Sequence, residues 1–179
     1  MKLLFISPGT NNVLGFLICE ILNRLAPVCR LDLAVIICYN NSMEKGIIIH
    51  TIIYNKNKEI LVLQRCKNND TLPLYWDIPG GTLEDGENPE IGAIREAKEE
   101  TSIDIIKPKL FFVYSNIDRS KNKQFLTLIF YSEYKRGEIK LNDDEHVQYK
   151  WAKIDKIKKL KTVSYMQDCL DEIKSRGII

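Results

Sequence analysis

The residues of this sequence best suited to chemistry are three glutamates in one predicted helix. Asn88 is a good N-cap residue and Pro89 fits the first helical position, so the pattern predicts a helix over residues 89–101. Acidic positions i, i+3 and i+4 share one face of such a helix, and each like-charge pair costs roughly 0.2–0.5 kcal/mol. Grouped hard oxygen ligands are what Mg²⁺ or Mn²⁺ prefers, so a bound cation would offset this repulsion; the alternative is a solvated acidic face. The three residues are Glu96, Glu99 and Glu100.

The spacing around these glutamates is more specific than an acidic helix alone. The sequence reads Gly81-x5-Glu87-x7-Arg95-Glu96-Ala97-x-Glu99-Glu100-x-Ser102-Ile103, which resembles the Nudix box, G-x5-E-x7-R-E-U-x-E-E-x-G-U with U aliphatic. One position departs from the pattern, because Ser102 stands where the family has glycine. The resemblance covers the box directly and, through the order of the strands, about residues 46–176. It implies an α/β fold, a Nudix-type α/β/α sandwich with a mixed β-sheet between helices.

The resemblance also implies an activity and a set of site residues. Nudix hydrolases use a divalent metal, Mg²⁺ or Mn²⁺, to cleave a nucleoside diphosphate linked to another group by attack of water on a bridging diphosphate. The matching positions imply metal ligands at the three helix glutamates and at the Gly80 carbonyl, with Gly81 beside the substrate. An Arg95–Glu87 pair is expected to hold the preceding loop against the helix.

Several roles stay open at the level of sequence. The general base is either Glu96 or Glu145, of which we favour Glu96. Arg65 closes a predicted strand and either reaches a substrate phosphate or lies in solvent. An exposed position in a polar loop is expected for His146 rather than a role in proton transfer, and a buried or half-buried position in an apolar strand is expected for His50.

The elements that must position these residues follow from hydrophobic patterning. A second helix is predicted over residues 164–176, and a helical turn with outward lysines over residues 153–161. The first two predicted strands form a hairpin. Ser102 falls where the chain leaves the first helix, and the left-handed conformation typical of that position costs a serine on the order of 1 kcal/mol. Strands are predicted over residues 46–54, 59–65, 75–78, 109–115, 124–134 and 147–152.

Composition narrows the class of protein without naming a partner. The 179 residues are 45% hydrophobic and 28% charged, which is typical of a soluble globular protein. The net charge of +2 argues against a strongly basic nucleic-acid binder, and no uninterrupted apolar run reaches the ~18 residues of a membrane span, so no membrane partner is expected. Five scattered cysteines without a CxxC motif indicate neither a disulfide framework nor a zinc site, and we expect a cytoplasmic monomer or homodimer.

Two parts of the chain are expected to differ in role. Residues 43–179 are predicted to form the Nudix domain. Residues 1–42 are an N-terminal extension of unknown role, either an artefact upstream of a natural start at Met43 or a real extension packed on the domain.

Three functions are compatible with these features. The first is metal-dependent hydrolysis of a small nucleotide, such as a nucleoside triphosphate or nucleotide derivative. The second is removal of a 5′ cap or terminal diphosphate from RNA, suggested by the five lysines in residues 153–161. The third is a non-catalytic nucleotide-sensing module, suggested by Ser102 and the N-terminal extension.

Overall fold

The computed structural model describes residues 43–69 and 71–179. The expectations for residues 1–42 lie outside this range. The described part contains eight strands and three helices. The strands are β1 (Glu44–Tyr54), β2 (Ile60–Arg65), β3 (Trp76–Asp77), β4 (Gly80–Thr82), β5 (Asp104–Ile105), β6 (Lys109–Asp118), β7 (Lys123–Arg136) and β8 (His146–Ala152). The helices are α1 (Pro89–Thr101), α2 (Ile154–Ile157) and α3 (Met166–Ser175).

The sheet is mixed, with β1 at its centre. β1 runs parallel to β7 along its whole length and antiparallel to β4 on its other side. β2 pairs antiparallel with β8 and with β3. The predicted hairpin is present at its turn, where Tyr54 of β1 pairs with Ile60 of β2, but the remaining partners of β1 come from distant parts of the chain.

Helices cover both faces of this sheet. Ile49 and Ile53 of β1 belong to apolar clusters that include Ala93 and Ala97 of α1. Ile52 belongs instead to the cluster formed with α2 and α3, as the alternation of side chains along a strand requires. The predicted α/β/α sandwich with a mixed sheet is therefore confirmed.

The ends of α1 follow the local sequence signals. The Asn88 side chain accepts a hydrogen bond of 2.9 Å from the Glu90 backbone N–H, so the helix begins at Pro89 as predicted. It ends where Ser102 adopts the left-handed conformation, with φ of 61° and its N–H donating to the Lys98 carbonyl at 2.8 Å. The box therefore keeps the expected backbone turn, at a strain of about 1 kcal/mol for a serine.

The C-terminal segments match the predicted amphipathic pattern. Ile154 and Ile157 of α2 are buried, while the lysines between and after them are exposed or half-buried. The predicted helix over residues 164–176 corresponds to α3. None of the helices in the described ranges is long and apolar enough to cross a bilayer.

Candidate active site

Two glycines of β4 bring the backbone against the acidic end of α1. The Gly80 N–H donates a 3.1 Å hydrogen bond to Oε2 of Glu100. A Cβ atom added at Gly80 would lie 2.1 Å from the Ile49 carbonyl oxygen, and one at Gly81 would lie 2.6 Å from both carboxylate oxygens of Glu96. Glycine at both positions allows β4 to lie close to both β1 and the glutamates, because a side chain at either one would require neighbouring atoms to shift.

Arg95 connects the loop before α1 to two of the helix glutamates. Its Nε and Nη2 atoms donate to the two carboxylate oxygens of Glu87, each at 2.9 Å, as a bidentate pair. Its Nη1 atom donates at 2.9 Å both to Glu96 and to Glu99. The guanidinium lowers the pKa of the Glu87 carboxyl, and these carboxylates raise the pKa of Arg95. Arg95 therefore fixes the loop and restricts the rotamers of both helix glutamates.

Burial disfavours the ionised forms of two carboxyl groups of α1, those of Glu96 and Glu100. Glu100 is only 5% exposed, and burial raises its pKa well above the ordinary value of 4.5, although the hydrogen bond from Gly80 opposes this shift. Burial also raises the pKa of Glu96, against the opposing effect of Arg95. The neighbouring carboxylate of Glu145 contributes to both shifts. A divalent cation bound by these oxygens would offset the repulsion among them, so the donor set fits Mg²⁺ or Mn²⁺.

A loop before β8 brings Glu145 and His146 opposite Glu100. The Asn142 N–H donates to the Glu100 carbonyl at 3.2 Å, and the Asn142 carbonyl accepts from the N–H groups of Glu145 and His146 at 3.0 and 2.9 Å. As a result, one donor atom each of Glu100, Glu145 and His146 all lie within 4.8 Å of one another.

The expected exposed position of His146 is wrong. β8 begins at His146, one residue earlier than predicted, and pairs it with Arg65 of β2. The side chain is only 6% exposed, its Nδ1 atom has no hydrogen-bond partner among residues 43–69 and 71–179, and burial lowers its pKa. The polar residues around it in the sequence, which are typical of a loop, conceal this inward position. His50, by contrast, is buried in β1 as predicted.

The residues around Glu100 line a pocket of about 200 Å³. Glu96 is not among its lining residues and lies behind it against Gly81, while Glu99 has a side chain 57% exposed and is held by Arg95. Of the residues predicted from the sequence, some line the pocket, whereas Glu96 and Glu99 lie outside its lining. The lining residues are Arg65, Asn69, Asp77, Ile78, Gly80, Glu100, Glu145 and His146.

Arg65 lies at this pocket, held by a buried residue that the sequence did not single out. Its Nη2 atom forms a 2.6 Å salt bridge with Asp77, and its Nη1 atom donates to the Thr71 carbonyl at 2.9 Å. Asp77 is only 2% exposed and also accepts from the Tyr165 hydroxyl and from the Ile78 N–H. Asp77 stands within the Trp76-Asp77-Ile78-Pro79-Gly80-Gly81 run before the box, which was the available signal. The guanidinium is thereby oriented at the pocket wall rather than free in solvent.

A family model described as NUDIX domain matches residues 45–172. The chain belongs to the Nudix family. This match includes every element from β1 to most of α3 and all the residues of the candidate site. The sandwich fold and the box therefore belong to one family assignment.

Relatives of known name share the central part of the chain. An ADP-ribose pyrophosphatase from Methanocaldococcus jannaschii is 36% identical over 92 residues, which are 51% of this chain and 53% of that protein. An RNA pyrophosphohydrolase from Zymomonas mobilis is 38% identical over 74 residues, which are 41% of this chain and 42% of that protein. The chain thus spans about half the length of these curated relatives.

A solved structure extends the similarity to the whole described domain. The crystal structure of the MutT protein from Methanosarcina mazei Go1 matches with a TM-score of 0.67 and 26% identity. The match covers 75% of this chain and 96% of that protein. Nudix-family architecture therefore accounts for the arrangement of the sheet and its covering helices.

Proposed function

We propose that this protein is a metal-dependent hydrolase of a diphosphate bond in a nucleoside diphosphate linked to another group. The substrate class is a nucleoside triphosphate or a nucleotide derivative. The observation that supports this most is the convergence of buried Glu100, the Gly80 backbone and Glu145 on one pocket. Such a concave, polar site with perturbed carboxylates is where metal-assisted hydrolysis is expected.

The charges around the pocket suit a polyphosphate only when a cation is present. A cluster of three carboxylates would repel an anionic substrate; its members are Glu96, Glu100 and Glu145. Arg65 supplies positive charge at the wall, but its salt bridge to Asp77 neutralises part of it. A divalent metal held by these carboxylates would supply the rest, and it would neutralise phosphate charge and lower the pKa of a bound water.

We assign some residues to metal binding and others to positioning the metal ligands. We assign the metal-ligand positions to Glu100, Glu96, Glu99 and the Gly80 carbonyl. Arg95, through Glu87, keeps the loop and the glutamates in register.

Substrate contacts fall to the wall of the pocket and to β4. Arg65, oriented by Asp77, is suited to contact a substrate phosphate. Gly81 allows the substrate to approach the backbone of β4, since it presents no side chain.

The general base is one of two carboxylates with different surroundings. Glu96 lies within the helix group but already accepts a 2.9 Å hydrogen bond from Arg95, which stabilises its charge and weakens it as a base. Glu145 is exposed and its carboxylate accepts from Asn142 at 3.2 Å. Separate Glu96→Gln and Glu145→Gln variants distinguish them when each is assayed at a metal concentration that saturates that variant: loss of the base then still lowers kcat by about 10²–10⁴-fold.

A nucleotide panel tests the proposal directly. The protein is incubated with Mg²⁺ or Mn²⁺ and nucleoside triphosphates, nucleoside diphosphate sugars and dinucleoside polyphosphates in ¹⁸O-labelled water. Phosphorus NMR then identifies the products and the phosphorus attacked. We expect a nucleoside monophosphate and abolition of turnover by Glu100→Gln, with Glu172→Gln on α3 as the control.

Two outcomes would contradict this proposal. Absence of turnover with every diphosphate compound and both metals would reject the enzyme. Tight nucleotide binding without hydrolysis would instead support the non-catalytic sensing module.

Hydrolysis at the 5′ end of RNA is a second candidate, favoured by the name of the Zymomonas mobilis relative and by the lysine cluster of residues 153–161. The five lysines of this cluster are exposed or half-buried, so they can contact a polyanion. Triphosphorylated RNA is therefore included in the panel, with turnover measured against salt concentration. Absence of RNA turnover would remove this candidate, and RNA turnover that Lys161→Ala leaves unchanged would remove the role of the lysine cluster.

We further propose that residues 43–179 form the complete catalytic domain and that it acts in the cytoplasm as a monomer or homodimer. The family match, over residues 45–172, and every candidate site residue fall within these residues. A chain starting at Met43 is expected to retain the kcat of the full chain, and light scattering measures its oligomeric state. A large loss of kcat would mean that residues 1–42 contribute to the site.

A further inference from the structure

The pocket contains a nitrogen donor that the box does not supply. His146 is the next residue after Glu145 in the sequence, and its side chain is only 6% exposed. Its Nδ1 atom is buried without a hydrogen-bond partner in the described part of the chain, although buried polar atoms in proteins are nearly always satisfied. A buried imidazole beside two carboxylates indicates a ligand that these side chains share.

We propose that Glu100, Glu145 and His146 form a mixed oxygen and nitrogen cation position, which favours a first-row transition-metal dication over Mg²⁺. This inference rests on the proposed function, since it concerns the same pocket. It adds a metal preference that the all-oxygen set on α1 does not predict.

The separation of the donors fits a single ion. Their atoms lie within 4.8 Å of one another. Two ligands at about 2.2 Å from one ion are at most about 4.4 Å apart, so only small side-chain rotations are needed. Glu145 is exposed and can rotate, whereas Glu100 and His146 are held by burial.

The backbone keeps these residues together without the ion. The Asn142 N–H donates to the Glu100 carbonyl, and the Glu145 carbonyl accepts from the Cys66 N–H at 2.8 Å. The loop before β8 is thereby attached both to the end of α1 and to the end of β2. This preorganisation lowers the entropic cost of assembling the three donors.

Arg65, at the pocket wall, makes its described hydrogen bonds to groups other than Glu100 and Glu145. Arg65 uses its Nη2 atom for Asp77 and its Nη1 atom for the Thr71 carbonyl. The carboxylates of Glu100 and Glu145 therefore face each other without an intervening guanidinium bond among the described hydrogen bonds. Oxygen ligands alone suit Mg²⁺, whereas an imidazole adds affinity for transition metals in the order Mn²⁺, Fe²⁺, Co²⁺.

Pulsed electron paramagnetic resonance of bound Mn²⁺ tests this assignment without relying on activity. The full chain contains two histidines, His50 and His146, so ¹⁵N-histidine labelling identifies imidazole coordination. We expect ¹⁴N modulation in the unlabelled wild-type protein, replacement by ¹⁵N coupling in the labelled protein, and loss of the coupling in His146→Gln. His50 is not part of the pocket lining, so His50→Gln is the control and is expected to retain the coupling.

Metal affinities provide the second measurement. His146→Gln is expected to weaken Co²⁺ binding by at least about tenfold and Mg²⁺ binding by less than about twofold. Equal weakening of both metals would overturn the preference. His146→Asn repeats the measurement if the glutamine variant does not fold, and the labelling experiment on the wild-type protein needs no variant.

The results separate this inference from the proposed function. Wild-type protein that binds Mn²⁺ and hydrolyses nucleotides without histidine coupling would overturn the inference and leave the hydrolase intact. Wild-type protein that neither binds Mn²⁺ nor hydrolyses any nucleotide would overturn both.

Discussion

Replacing Glu100 by glutamine should stabilise the metal-free protein and remove its response to metal. Glu100 is 5% exposed, and its Oε2 atom accepts a 3.1 Å hydrogen bond from Gly80. The amide oxygen of glutamine can accept the same bond, while its NH₂ group can donate to Glu145. The substitution thus removes a buried ionisable group beside other carboxylates without removing the acceptor that Gly80 needs.

The size of the effect follows from burial and from linkage. A buried polar group without adequate partners costs on the order of 1–3 kcal/mol, so Glu100→Gln in EDTA at pH 8 should raise stability by about that amount. For a domain of this size, about 1 kcal/mol corresponds to a shift of roughly 3–5 °C in Tm. Mg²⁺ at about 100 times its Kd should stabilise the wild-type protein by about 2.7 kcal/mol, and the variant by less than a third of that.

The effect should depend on pH in a defined direction. The folded-state pKa of Glu100 is raised above 4.5, so the folded state binds the proton more tightly than the unfolded state. The contribution to stability is therefore complete below pH 4.5 and is lost as the pH rises through the folded-state pKa. In EDTA, the Tm difference between variant and wild type should increase with pH over that range.

Thermal denaturation followed by circular dichroism measures all of these quantities. Glu99→Gln is the matched control, because Glu99 lies beside Glu100 on α1 but has a side chain 57% exposed. In EDTA, where no metal is bound, that control should change the free energy of unfolding by no more than an exposed ion pair contributes, about 0.2–1 kcal/mol. A Glu100→Gln protein with the wild-type Tm in EDTA at pH 8 would show that buried Glu100 does not destabilise the metal-free protein. An undiminished response to Mg²⁺ would show that Glu100 is not a metal ligand.

Three further substitutions test the support of the site. Ser102→Gly should raise stability by about 0.5–1 kcal/mol and leave the Kd for metal unchanged, because only the left-handed strain is removed; an unchanged Tm would contradict this. Gly81→Ala should weaken metal binding measured by calorimetry, since its Cβ would lie 2.6 Å from the Glu96 carboxylate, whereas Gly86→Ala, with no atom within 4 Å, should lower Tm alone. Arg95→Lys should lower kcat at least about tenfold by losing the bidentate pair, and equal kcat values would show that the pair does not orient the glutamates.

Local signals in the sequence were sufficient for α1 and its surroundings. The cap at Asn88, the proline after it and the serine at the end of the helix each act on backbone groups within four residues, so their effects can be predicted from the local sequence. The box spacing then places the glutamates on one face of a helix of known pitch. These elements could be predicted because no distant contact was needed to define them.

The residues that face α1 depend on pairing between distant strands. Asp77, which binds Arg65, accepts a hydrogen bond from Tyr165, although the two residues are 88 positions apart. No sequence motif predicts this contact. The parallel pairing of β1 with β7 is likewise a long-range contact, which short hairpin signals do not reveal. Composition also misplaced His146, because polar neighbours hide the first residue of a strand from a pattern of hydrophobicity.

Strand register explains why the two halves of the site differ in predictability. The pairing of β8 with β2 shifts between Gln64 and Arg65, so His146 points inward while the next residue, Val147, is 53% exposed. A slip of one residue would exchange these two side chains and remove the imidazole from the pocket. The box fixes Glu100 but imposes no spacing on β8. The residues opposite Glu100 can therefore change without altering the box, and the proposed mixed cation position depends on the loop that sets this register.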